Sequence, residues 1–155
     1  MKNSGIKRVT AKSDVFKLAV DNEYGEEMGI LSINIGDINL AHRLQQGYEK
    51  TNKIIEKGNA DLKKIGYDEA DKSIMSNAPY FEKVSDIDRE LKETFNWMFG
   101  GDFSSIFGNT NLMSPTKDGH LILNVLDAII PAIKKEMQVR KGNMEKNYKE
   151  FKENH

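Results

Sequence analysis

The stretch YFEKVSDIDRELKETFNWMFGGDFSSIFG, Tyr80 to Gly108, decides how the rest of the chain must fold. Phe81, Val84, Asp88, Leu91, Phe95 and Met98 recur every three or four residues, with Ile87 beside them. That spacing is the period of a helix with one buried face. Gly100-Gly101 should stop it, because glycine enters the left-handed C-terminal turn without strain. Asp102 is the expected cap of a short turn, FSSIF, closed by Gly108. Phe95, Met98, Phe99, Phe103, Ile106 and Phe107 crowd into this segment, so it is the expected centre of the core. Trp97 lies off the stripe, near Glu90 and Glu93, and is expected at the surface.

Upstream, VFKLAV and GILSINIG alternate strictly. Phe16, Leu18 and Val20 fall on one side of the first run, and Leu31, Ile33 and Ile35 on one side of the second. The acidic, Gly-containing DNEYGEEM between them makes the pair a β-hairpin. Two strands are marginal in water, so one face must lie on helices. Asp37 is the expected N-cap of a following helix with Ile38, Ala41, Leu44, Tyr48, Ile55 and Leu62 on one face. Ala41, Tyr48, Ile55 and Leu62 are seven apart, as in a coiled-coil seam. Gly47 and Gly58 each weaken a helix by roughly 1 kcal/mol relative to Ala, which predicts softening after Lys57. Residues 66–79 have no clear period and read as a connection with room for one helical turn.

Downstream, residues 109–119 read as a polar loop. Ile122, Val125, Leu126, Ile129, Ile130, Ile133 and Met137 then form a helical stripe that keeps its phase through Met144, Tyr148 and Phe151. Pro131 should kink this helix. Arg140 stands in the middle of the stripe. Past Ile133 the sequence is too polar to build a core. It is either a solvated tail or a helix that docks on a partner. The expectation is one α+β domain over 1–155, an N-terminal β-hairpin packed on a mainly helical domain with a long C-terminal helix. Its parts are a flexible 1–12, the hairpin 14–35, a helical core 37–137 and a polar helical extension 138–155.

Composition narrows the function. With 38% hydrophobic and 30% charged residues, the chain reads as a soluble, helix-rich protein with a limited core. Twenty-three Lys and Arg against 24 Asp and Glu make no electrostatic case for nucleic acid or an anionic membrane. The absence of cysteine removes disulfides, thiol nucleophiles and thiolate metal sites, and fits a reducing cytoplasm. The N-terminus lacks the apolar run of a signal peptide, and Leu121–Ile133 is too short and too polar to span a bilayer.

No catalytic constellation emerges. His42, His120 and His155 show no metal-ligand spacing. Ser104 and Ser105 lack a nucleophile-elbow context and suit turns instead. Asp21, Glu23, Glu26 and Glu27 have the wrong spacing for a calcium loop. Asp86 and Asp88 point apart on a helix. The expectation is a non-enzyme with no metal and no cofactor.

A helix ending FNWMFG (Phe95–Gly100), a turn ending SIFG (Ser105–Gly108), an Asn-containing loop NTN (Asn109–Asn111) and a long C-terminal helix resemble the tail assembly chaperone-like proteins of siphophages that infect Gram-positive bacteria. The hairpin followed by a long charged helix is also similar. The motifs cover Tyr80 to Phe151. The first 65 residues match in element order alone, residues 66–79 match nothing in that family, and Gly100-Gly101 with Asp102 departs locally. The resemblance implies a cytoplasmic, phage- or prophage-encoded factor absent from the mature virion. Such a factor binds the helical tape measure protein and helps tail tube protein subunits gather around it. The residues expected to meet a client or a second copy of the chain are Trp97, Met137, Met144, Tyr148 and Phe151. The competing reading is a small bacterial regulatory or antitoxin-like module that pairs with one protein. A third is an enzyme subunit whose site lies in a partner.

Overall fold

The computed structural model describes residues 5–11, 14–70 and 75–154. A hairpin of β1 (Val15–Asp21) and β2 (Glu27–Asn34) leads into α1 (Leu40–Ile65). A 3₁₀ turn (Met75–Asn77) precedes α2 (Ala78–Phe99), and a second one (Ser104–Phe107) follows it. Two short strands, β3 (Pro115–Thr116) and β4 (Gly119–His120), lead into α3 (Leu121–Glu153). The architecture is α+β and mostly helical, as the patterning predicts.

The hairpin pairs Phe16 with Ile33, Leu18 with Leu31 and Val20 with Gly29. Leu31, Ile33 and Ile35 are buried, whereas Phe16, Leu18 and Val20 are half-buried against the same core. Gly29 sets the fit against the second 3₁₀ turn. A Cβ there would stand 2.5 Å from Ile106 Cγ2, so only glycine lets the hairpin lie this close.

In α1 the buried residues are Leu40, Leu44, Gly47, Thr51, Ile55, Gly58 and Leu62. Asp37 is not its N-cap. Its carboxylate accepts the Asn39 N–H at 2.9 Å, and the helix begins after that turn. Ile38 therefore precedes the helix and is 92% exposed. Ala41 is exposed as well. A strict seven-residue spacing drifts about 20° per heptad on a straight helix, so the seam from Ala41 to Leu62 starts in solvent and ends in the core. Nor does α1 soften at its glycines, since it runs on to Ile65. A Cβ on Gly47 would lie 2.0 Å from Met98 Cγ, and one on Gly58 would lie 2.6 Å from Ile87 Cδ1. These glycines are where α1 receives α2.

Ile87, Leu91, Phe95, Met98 and Phe99 carry the buried face of α2. Phe95 packs on Phe99 and Phe107 at ring-centroid distances of 4.7 and 5.1 Å. Phe81, at the start of the expected stripe, is 43% exposed and meets Tyr67 and Tyr80 instead. Gly100 ends the helix in the left-handed conformation, its N–H donating to Asn96 O at 2.9 Å.

Asp102 does not cap the next turn. Asn96 Oδ1 accepts from the N–H groups of both Phe103 and Ser104, at 2.8 and 2.7 Å. Asp88, the polar member of the stripe, has a comparable role. It accepts the Leu112 N–H at 2.7 Å and pairs with Lys92 at 2.8 Å. Residues 109–119 are thus more than a polar loop, because Leu112 is wholly buried and β3 pairs with β4.

In α3, Ile122, Val125, Leu126, Ile129 and Ile133 are buried. Pro131 lies inside this helix. Arg140 leaves the apolar pattern to reach across the fold, pairing with Asp14 at the foot of β1 and with Glu136. Of the expected flexible arm, residues 1–4 and 12 lie outside the described residues, and 5–11 are exposed without helix or strand. Part of the expected connection, 71–74, also lies outside them.

Candidate functional site

Helix α3 supplies most of the candidate surface. Its first half is fixed by the apolar stripe, and its second half inherits that direction. Met137 is half-buried against the core. It lines a hollow with Ile35, Asp37, Ile38 and Arg140, where the hairpin foot, the start of α1 and α3 converge. Tyr148 and Phe151 are 66% and 60% exposed. Fourteen residues separate Met137 from Phe151, about 21 Å along a helix axis. The Met144 side chain lies outside the described residues; its position on the helix continues the same phase. From Lys141 to Asn154 every described side chain is exposed.

Trp97 is 46% exposed. It lies in a hollow between α1 and α2 with Lys50, Ile54, Glu90, Glu93 and Thr94. A neighbouring hollow joins Trp97 to Val15, Ser32, Asn34 and Arg43. The structure therefore sets Trp97 apart from the α3 stripe. Its hollow and that of Met137 share Asp37 at their rims. Asp37 holds the foot of this region by pairing with Arg43 at 2.7 Å. The Asn39 N–H and then Arg43 keep its carboxyl below the usual aspartate range.

Periodicity alone did not reveal a groove of about 500 Å³ between α1 and α3, lined by Ala41, Leu44, Tyr48, Ile130, Pro131 and Lys134 among others. Tyr48 bridges it, its hydroxyl donating to Asp127 Oδ1 at 3.0 Å. Burial and then the Asp127 carboxylate push the Tyr48 hydroxyl above its ordinary value. The two residues are 79 positions apart, and no local signal links them.

Other polar groups in the fold have structural partners. The His120 Nδ1 lies 2.9 Å from Met113 O, just before α3. Ser104 Oγ accepts from Asn96 Nδ2 at 3.1 Å. Lys57 and Lys83 hold the Asp61 carboxyl below its usual range and tie α1 to α2. Among the described residues, no group of three or more His, Cys, Asp or Glu side chains could hold a metal ion. No helix among them is long and apolar enough to cross a membrane. Against known proteins, the chain matches no family model, no curated protein and no solved structure.

Proposed function

We propose that this chain is a non-enzymatic tail assembly chaperone of the siphophage kind. It acts in the cytoplasm of the infected or lysogenic cell. It holds the tape measure protein in soluble form and helps tail tube protein subunits assemble around it. The observation that carries the reading is the second half of α3. A helix that sets its last fully buried side chain at Ile133, packs Met137 on the core's edge and reaches its ion pair at Arg140 continues to Glu153. It keeps Tyr148 and Phe151 exposed on the phase of the buried stripe. An amphipathic helix face of this sort suits a helical client, with apolar groups at the centre and charges at the rim.

The test is co-expression of the full chain with the tape measure protein of its own phage genome, with client solubility as the readout. Wild-type chain should keep the client in the soluble fraction, and Y148E/F151E should lose most of that effect while melting at the wild-type temperature. Equal solubilisation by Y148E/F151E would remove α3 from the contact. Failure of the wild type to solubilise the client would remove the chaperone reading and leave a regulatory or antitoxin-like module as its successor.

A further inference from the structure

Trp97, the only tryptophan of the chain, stands 46% exposed where α1 and α2 form one continuous face. Lys50, Ile54, Glu90, Glu93 and Trp97 line one hollow there, and Lys50, Lys53 and Trp97 line the next. Lys50, Lys53, Glu90 and Glu93 are exposed, and Ile54 among them is half-buried against the core. Both cations belong to α1 and both carboxylates to α2. Elsewhere on these helices Lys57 and Lys83 pair with Asp61, and Lys92 pairs with Asp88. Among the described residues no ion pair joins Lys50 or Lys53 to Glu90 or Glu93, although they share a face.

The two glycines of α1 fix the register of this face. Gly47 faces Met98, and Gly58 faces Ile87. Eleven positions of α1 are thus matched by eleven positions of α2 running the other way. On that count Lys50 is level with Phe95, between Glu93 and Trp97. Lys53 is level with Lys92, between Glu90 and Glu93. A two-fold axis parallel to the helices would turn the face onto itself without any shift along it, laying each copy's α1 over the other's α2. Glu49, on the rim of the second hollow, would then come level with uncharged Asn96 rather than a carboxylate.

We propose that two copies of this chain associate through the α1–α2 face, about a two-fold axis parallel to the helices. Lys50 of each copy reaches Glu93 and the Trp97 ring of the other, and Lys53 reaches Glu90 and Glu93. Each contact occurs twice, as in any isologous pair. The charges select the occupant. A partner of one sign would meet its own sign on half of this face, whereas a second copy offers the opposite sign at each of the four positions. Complementary charge fixes partner and orientation more than affinity. Affinity comes from the aromatic anchor, tryptophan being enriched among the side chains that dominate interfaces, with an ammonium group against its ring. Salt should weaken the contact by screening.

Sedimentation of the full chain, with no client present, tests this. Wild type should be a dimer at about 100 µM, above the micromolar range of the weakest interfaces of standard size. K50E/K53E and E90K/E93K should each lower the association constant by about tenfold or more, because like charges then face one another in both halves of the contact. An equimolar mixture of the two variants should restore the dimer, since each half then pairs opposite signs again. Trp97→Ala changes no charge and leaves the buried faces of both helices untouched, so its expected loss of association is read on a folded protein. Wild type that stays monomeric at this concentration would overturn the proposal. So would a dimer that survives Trp97→Ala and both charge reversals, or a mixture of well-folded variants that stays monomeric. The client reading is tested separately. Y148E/F151E should dimerise as wild type does, and a loss of the dimer there would place the contact on α3 and overturn the proposal.

Discussion

Leu121–Ile133 and Lys141–Glu153 are equal lengths of one helix, yet they stand in opposite environments. The first holds five buried side chains from Ile122 to Ile133. The second is exposed at every described side chain. Packing orders the first. The second rests on local propensity, with Lys and Glu prominent and Glu145–Lys149 and Lys146–Glu150 at helical spacing. Regular secondary structure therefore does not mark the limits of the core, and a helix can carry its apolar period past its last buried residue.

The comparison breaks most readily in the core. Phe95→Ala should cost about 3–5 kcal/mol, because it leaves a cavity between Phe99 and Phe107. Tyr148→Ala should stay within about 0.5 kcal/mol of wild type. Denaturant melts of the two variants read the contrast directly, and similar losses would mean that the end of α3 belongs to the core.

Next in size is a pair of glycines. Gly47→Ala should destabilise by about 1–3 kcal/mol, since its Cβ would strike Met98. Gly142→Ala meets nothing within 4 Å, so it should raise helicity, with a local gain of roughly 1 kcal/mol. Amide exchange across residues 141–153 measures the second effect. A slower exchange at Gly142→Ala together with a lower melting temperature at Gly47→Ala separates propensity from packing.

Asn96→Ala should cost about 1–2 kcal/mol by orphaning two N–H groups of the second 3₁₀ turn, whereas Asp102→Ala should cost less. Thermal melts of both variants decide which residue caps.

The smallest effect is that of Asp37, whose folded carboxyl titrates below the ordinary 3.8. A depressed folded value stabilises the native state above the unfolded value, and this contribution fades as pH falls through the folded one. Wild type should therefore exceed Asp37→Asn slightly near pH 6. The gap should close as pH drops below 3.8. Urea midpoints over that range would show it, and a gap that widens in acid would contradict the assignment.

The sequence by itself determined what depends on near neighbours. Alternation placed Phe16, Leu18, Leu31 and Ile33 on the inner face of a hairpin. A three-to-four spacing assigned Leu91, Phe95 and Met98 to one helical face, and Gly100 ended that helix. The exposed Trp97 and the surplus stripe through Tyr148 and Phe151 followed from the same periods. What only the tertiary structure decided are the meetings of residues far apart in the chain. Gly47 and Gly58 read as weak points until Met98 and Ile87 fill the space above them. Asp88 read as an interruption until the Leu112 N–H reaches it, 24 residues on. Arg140 looked misplaced until Asp14 arrives from 126 residues away. Periodicity reports which way a side chain faces from its own element. The partner it meets depends on how the elements cross, and that is set by the shape and volume of the whole core.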